Sequence, residues 1–469
     1  MKKPLILTGH AAFLVTALLS ILFYKERSLF VDSGQLIFEM LNEGSFKVFL
    51  GRYSMYITEI FPWLAIKAGA SLKTILIIFS LSFISIQYLC FLICICGFKN
   101  VEAGLSIAFA PLLIRITFGQ AVCEPWMAIA YSALFYALFN HFKTFQSRGK
   151  TFQILFYLLL FFVIGLNYFM HPLALFMVLF AVFFQTIDQK LWRKPHVYAS
   201  AFLILLMLFS KFLMPQHTYE ARYFEGLKEP WKAFPELHTS AMLLFIARYF
   251  GELFIFFLIP FIVSMFFFVR RKKFLLVFFC ITFCLAYILL ITLATYKSDS
   301  DMLLEIRLVP LIFMALIPFG IVIQHIKKPI LGISGLVILS GISYVHIINS
   351  MHRNHTRRIN TYRYFLNETK TLDSRKFFVR LPHLQTSVNS WGSAAETLML
   401  TSLEGPAKSK TIIFIDNDMH IEEGIHSYNC MFLWLKWRLY VDESTYLNKK
   451  YFNLQCTPYT EIPFPDRLK

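Results

Sequence analysis

The sequence predicts a mainly α protein. It reads as a polytopic transmembrane helix bundle of about eleven spans, N-terminus in and C-terminus out, with a small C-terminal α/β extracytoplasmic domain. Three observations carry this reading. The 469 residues are 57% hydrophobic and only 16% charged, with mean hydropathy +0.59, whereas soluble domains carry far more charge. The apolar residues form long runs separated by short basic clusters. Beyond residue 350 the pattern changes to short apolar runs between polar stretches.

The first run, Pro4 to Tyr24 after "MKK", is too long for a signal-peptide core and no small-residue cleavage site follows it, so it is read as a retained first helix. At ~20 apolar residues per crossing, spans fall near 4–24, 74–97, 101–119, 122–140, 152–169, 173–187, 197–213, 241–269, 274–296, 308–325 and 329–349. The run 151–187 is too long for one helix and breaks at "MHPL", so it is read as a hairpin. Basic residues mark alternate connections: Lys2 and Lys3; Lys99; Lys143, Arg148 and Lys150; Lys190, Arg193 and Lys194; "RRKK" at 270–273; Lys327 and Lys328. By the positive-inside rule these loops are cytoplasmic. Residues 1–350 thus form a membrane module with a large outer loop at 25–73 and a second outer segment at 214–240. Residues 351–469 form the outer domain, in which "KFFVR" and "TIIFID" read as strands and "AAETLMLTSL" as a helix. There is no visible internal repeat.

The net charge of +17 sits largely in those short loops. It is a topology signal and an attraction to lipid headgroups, so the expected partner is the lipid bilayer and not nucleic acid. Cys90, Cys94, Cys96, Cys280 and Cys284 lie in apolar runs, and Cys94 and Cys96 lack the companions of a metal motif. Cys430 and Cys456 lie in the polar tail, where an oxidising compartment would let them pair.

The chemistry-bearing residues gather at the outer ends of the spans. Asp32, in "LFVDSGQLIFEM", precedes a helical pattern with Leu36, Ile37, Met40 and Leu41 on one face, ended by Gly44. This reads as an interfacial helix on the outer leaflet, and Asp32 with Gln35 fits a D-x-x-Q capping box. A second segment, Val48 to Ala70, places Arg52 and Glu59 on one face at i, i+7. Glu124 opens the fourth span in "CEPW"; His171 sits in "MHPL"; Glu305 and Arg307 precede the tenth span in "LEIRLVP". Arg115 and Lys211 lie near outer span ends, and Arg248 and Glu252 form an i, i+4 pair. Each has a bland reading: helix start for Glu124, turn for His171, snorkelling for Arg115 and Lys211, mutual neutralisation for Arg248 and Glu252. The cytoplasmic loops, in contrast, hold only the acids Glu102 and Asp188. Carboxylates beside cations at headgroup level suit chemistry on a phosphorylated lipid. The cations would hold phosphate and a carboxylate would act as base. Arg52, Arg115, His171, Lys211, Arg248, Glu305 and Arg307 are therefore the candidate substrate-binding residues.

In this layout the chain resembles the GT-C superfamily of polytopic glycosyltransferases, which use lipid-linked sugar donors. The resemblance spans roughly residues 1–350. It rests on one span, then a large outer loop with "FVDSGQLIFEM" and "GRYSMYITEIF", then "GQAVCEPW", "YFMHPLA" and "EIRLVPL" at successive outer turns, and a C-terminal outer domain. It implies that Asp32 is the catalytic base, Glu124 a second catalytic acid, and Arg307 a donor-phosphate ligand, with a divalent cation at the acids in some members. Here Asp32 is followed by Ser33 instead of a second acid. The implied function is transfer of a sugar from a polyprenyl-phosphate-linked donor to a glycan, lipid or protein acceptor, at the outer face of a bacterial inner membrane. The alternative is a transporter or flippase, or a polymerase component, handling lipid-linked glycans without this chemistry. The tail matches no family by its residues.

Overall fold

In a computed structural model, residues 2–48, 51–213, 227, 234–295, 300–326, 329–381, 392–416, 431–435, 440–444, 447–455 and 457–464 are described. Among them, seven helices are long and apolar enough to cross a membrane. The chain is therefore a membrane protein built mainly of helices. Cys430 and Cys456, and most of the 214–240 segment, lie outside the described residues.

The helices run α1 Lys2–Leu22, α2 Tyr24–Ser28, α3 Val31–Glu43, α4 Tyr56–Lys67, α5 Leu72–Leu92, α6 Val101–Ala108, α7 Glu124–Asn140, α8 Phe142–Ser147, α9 Lys150–Tyr168, α10 Ala174–Gln189 and α11 Pro195–Leu213. They continue with α12 Ala241–Arg248, α13 Ile255–Arg270, α14 Phe274–Ala294, α15 Asp301–His325, α16 Pro329–Ser350, α17 Arg357–Glu368 and α18 Ser393–Ser402. The hairpin expected at "MHPL" forms between α9 and α10. The most deeply buried long helix is α15, with Pro310 and Pro318 inside it. Its neighbours α6, α7, α10 and α13 surround it.

Two expected spans are broken. The 101–119 stretch holds only the eight-residue α6, followed by 3-10 turns at Ala110–Leu113 and Thr117–Gly119. Pro111 removes a donor and clashes with a continuing helix, and the irregular backbone is tolerated because it is buried in protein and not in lipid. The 241–269 stretch becomes α12, a π turn at Phe250–Phe254, and α13. The extra residue per turn destroys the expected Arg248–Glu252 register.

The C-terminal domain is α/β. Strands β1 Lys376–Leu381 and β2 Thr411–Asp416 pair in parallel, β5 Thr460–Glu461 pairs with the other edge of β1, and β3 Met431–Leu435 pairs antiparallel with β4 Tyr440–Ser444. Helix α18 is the crossover between β1 and β2, as a parallel pair requires. A continuous helical stretch from Ile330 to Glu368, with a π turn at Met351–Thr356, joins the last span to this domain.

Helix α3 does not lie on a lipid surface. Leu36, Ile37, Phe38, Met40 and Leu41 are all buried, and so is the polar Gln35. The helix is held between the bundle and the C-terminal domain: α18 packs on it, Phe38 meets Phe452, and Asn448 bonds to the Leu41 carbonyl and the Asn42 side chain. Each large apolar side chain buried from water is worth about 1.5–3 kcal/mol, so a protein cover on the side away from the bundle outweighs a merely interfacial placement.

Candidate functional site

The starts of α7, α10 and α15 and the loop before α4 meet at the end of the bundle that carries the C-terminal domain. At the opposite end, the far termini of α7, α10 and α15 meet the start of α6 around Asn140, Asp188, Glu102 and Gln324. Lys99 lines that cleft and Lys273 pairs with Asp188 there, so these two basic connections share one end.

At the domain end, hydrogen bonds fix the loops that carry the charged groups. Ser33 in α3 accepts the Val122 N–H at 3.1 Å, and the Ala121 N–H bonds to the Arg27 carbonyl at 3.2 Å, which seats Glu124 beside Asp32. Ser54 donates to the Leu166 carbonyl at 2.8 Å, which ties the loop carrying Arg52 to the hairpin carrying His171. Gly51, at φ +68°, turns the chain so that Arg52 precedes the helix and pairs with Glu124. Arg52 and Glu59 therefore do not share a helical face. Glu59 is buried elsewhere and accepts the Lys47 N–H at 3.1 Å.

Two overlapping sets result, and Arg52 belongs to both. Asp32 is open to water yet surrounded by protein, as a side chain pointing into a recess should be. Burial raises its pKa to about 6; Glu124 adds to the rise, Arg52 opposes it, and Glu396 adds again. The Asp32–Gln35 capping box does not form: Asp32 lies inside the first turn, Phe30 is the N-cap without a side-chain bond, and Gln35 donates to Glu39. His171 is half-buried in the second set. Burial, then the positive charges of Arg52, Lys211 and Arg307, push its pKa well below the ordinary value, so the ring is neutral at pH 7. Its Nδ1 accepts the Leu173 N–H at 3.1 Å, which places the ring proton on Nε2 as a donor. Lys211 and Arg307 are buried, with Lys211 Nζ 4.8 Å from the Tyr168 ring centre.

The other candidates are committed elsewhere. Glu305 is fully buried. Its carboxylate accepts the backbone N–H groups of Arg115, Ile116 and Thr117 at 2.7–3.1 Å and the Thr117 hydroxyl at 2.7 Å. It satisfies amides that the break after α6 sets free. Arg115 pairs with Glu252 at 2.5 Å and lies 4.1 Å from the Tyr249 ring centre. Arg248 is largely exposed and faces Asp301 at 3.6 Å, not Glu252.

One member of the site escaped the sequence reading. Glu396 of α18 is fully buried beside the start of α3 and bonds to Val31, Arg358 and Tyr362. Its only sequence signal is an acid isolated among small and apolar residues in "AAETLML".

No group of three or more His, Cys, Asp or Glu side chains among the described residues is arranged to hold a metal ion. Glu124 is engaged by Arg52 and Glu396 by Arg358, so among the described residues Asp32 is the one carboxylate of the recess with neither an ion pair nor a side-chain hydrogen bond. This donor set does not fit a divalent cation held by paired acids. Comparison with family models, with curated proteins and with solved structures finds no match to this chain.

Proposed function

We propose that the protein is an integral membrane glycosyltransferase of GT-C type, acting on a polyprenyl-phosphate-linked sugar at the outer face of a bacterial inner membrane. In this reading there are about eleven crossings, the N-terminus is cytoplasmic, and the C-terminal domain lies outside. The observation that carries it is the recess in which Asp32 lies near the Arg52–Glu124 pair while the positive charges of Arg52, Lys211 and Arg307 act on His171. Three cations around a hydrogen-bond donor suit a phosphodiester. A water-accessible carboxylate of raised pKa suits a general base.

The roles follow. Asp32 takes the proton from an acceptor hydroxyl. The acceptor oxygen bonds to the anomeric carbon as the bond from that carbon to the phosphate oxygen breaks. The electron pair leaves with polyprenyl phosphate, whose charge Lys211, Arg307 and Arg52 balance while the His171 Nε2–H donates to it. Glu124 holds Arg52 in place.

The test uses protein in proteoliposomes with a panel of labelled polyprenyl-phosphate-linked hexoses and pentoses, and crude envelope glycans as acceptor. Asp32→Asn is expected to keep donor binding and lose turnover, whereas Lys211→Ala and Arg307→Ala are expected to weaken donor binding. Full turnover by Asp32→Asn defeats the base role.

One observation favours the transporter reading: the broken 101–119 stretch, since interrupted helices mark transport sites. It is weakened by Glu305, which already occupies the amides that follow the break. Donor movement across vesicles without cleavage distinguishes the two.

A further inference from the structure

The residue before Asp32 is strained. Val31 has φ +41°, a left-handed conformation that β-branched residues rarely adopt. Such strain persists only where the surroundings enforce it, and it concentrates at working sites. Here the enforcing group comes from the C-terminal domain. Glu396 Oε1 accepts the Val31 N–H at 2.8 Å. The same carboxylate receives Arg358 Nε at 2.8 Å, Arg358 Nη2 at 2.6 Å and the Tyr362 hydroxyl at 2.8 Å. Two glycines make room for it. A Cβ at Gly34 would lie 3.3 Å from Glu396 Cγ and 2.9 Å from the Leu29 carbonyl oxygen, and a Cβ at Gly392 would collide with Glu396 Oε1.

A simpler account would make this an ordinary buried ion pair that holds the domain together. Arg358 and Tyr362 alone would serve that purpose. They do not explain why one carboxylate oxygen leaves the domain to take the first amide of α3, against the strain at Val31. The domain also grips the far end of α3 through Asn448, so docking does not require the Val31 contact.

We infer that Glu396 is a positioning residue for Asp32: by fixing the Val31 amide it fixes the carboxylate next in the chain, and the C-terminal domain thereby completes the recess. This rests on the base role proposed for Asp32. Asp32 is faced by Glu124 from α7, by Arg52 from the loop before α4, and by Glu396 from α18.

The test compares Glu396→Ala, Glu396→Gln and Asp32→Asn in the full chain, in proteoliposomes. Hydrogen exchange is followed by mass spectrometry and turnover is measured with the donor that the panel identifies. Glu396→Ala should speed exchange in peptides covering 29–38 by about tenfold, the equivalent of one charge-assisted hydrogen bond, while peptides of α7 and α15 stay protected. Its kcat should fall by roughly 10²-fold with KM for the donor unchanged. Glu396→Gln keeps an acceptor for Val31, so exchange at 29–38 should stay slow. Because it removes a negative charge near Asp32, the acid limb of its rate profile should move to lower pH.

Unchanged exchange at 29–38 in Glu396→Ala overturns the inference, and so does faster exchange with unchanged kcat. If Glu396→Ala loosens the whole protein, the Gln variant decides: an unmoved acid limb overturns the inference. If Asp32→Asn retains turnover, the base role falls by itself, and exchange at 29–38 still reports whether Glu396 holds α3.

Discussion

Asp32 and Glu305 sit at the same end of the bundle, and each looks from the sequence like a carboxylate placed at headgroup depth. Their surroundings differ completely. Glu305 accepts three backbone amides and a hydroxyl and is closed to solvent. Asp32 opens into a recess, with a raised pKa and a nearby cation already paired to Glu124. A carboxylate whose hydrogen bonds are all taken is a clamp on the backbone. One left without them is available to a substrate. Charge at a span end marks both, so the number of bonds already made decides between them. Glu59 lies between the extremes: one oxygen accepts the Lys47 amide and the other has no partner among the described residues.

The comparison can be broken by exchanging expected outcomes. The largest effects come from the two extremes. Asp32→Asn should lower transfer by about 10²–10⁴-fold and leave the unfolding midpoint in detergent unchanged or slightly higher. Glu305→Ala should do the reverse, losing at least about 3 kcal/mol as several buried donors lose their acceptor, seen as a lowered midpoint and poor recovery from the membrane. A catalytic Glu305 or a structural Asp32 would invert the pair.

A pH profile sharpens it next. In the proposed base role Asp32, with its pKa raised to about 6, works only when deprotonated, so kcat/KM should fall as pH drops through about 6. Asp32→Asn should lack this limb. Glu59 titrates in stability instead. Burial raises it from 4.5 to about 7 in the folded chain. Between these values the unfolded state is ionised while the folded state still holds its proton, so this group's contribution to stability falls as pH rises from 4.5 to about 7 and is constant above. Unfolding midpoints of Glu59→Gln across that window should show a shallower decline than those of the unaltered protein. The smallest effect is expected at Arg248, whose exposed contact with Asp301 is worth at most about 1 kcal/mol; Arg248→Ala should change the midpoint by less than any other variant here.

Much of this was legible in the sequence because hydropathy and charge are local properties. Long apolar runs became helices, "MHPL" became a hairpin, and Asp32, Glu124, His171 and Arg307 stood out as charged or polar groups at span ends. What escaped depended on partners distant in the chain or on the phase of a helix. The π turn at Phe250–Phe254 sends Glu252 to Arg115 and leaves Arg248 to Asp301. The 3-10 turn at Tyr53–Met55, with Arg52 non-helical before it, separates Arg52 from Glu59. The face of α3 read as lipid-exposed is covered by the C-terminal domain, and Val31 meets Glu396 across 365 positions. Periodicity carries no information about such a cover.

The stretch from Ile330 to Glu368 also has a mechanical meaning. It is one helical rod of 39 residues, about 58 Å long at 1.5 Å per residue. Its inner part is apolar and its outer part carries Arg358, the partner of Glu396. Lipid and recess are thus joined by one helical path, whose only irregularity among the described residues is the π turn at Met351–Thr356. A tilt of about 3° at the membrane end displaces the outer tip by roughly 3 Å, comparable to the length of the hydrogen bonds that seat α3. Tilting is one way a helix accommodates a change in bilayer thickness, so the rod gives such a change a geometric route to Asp32.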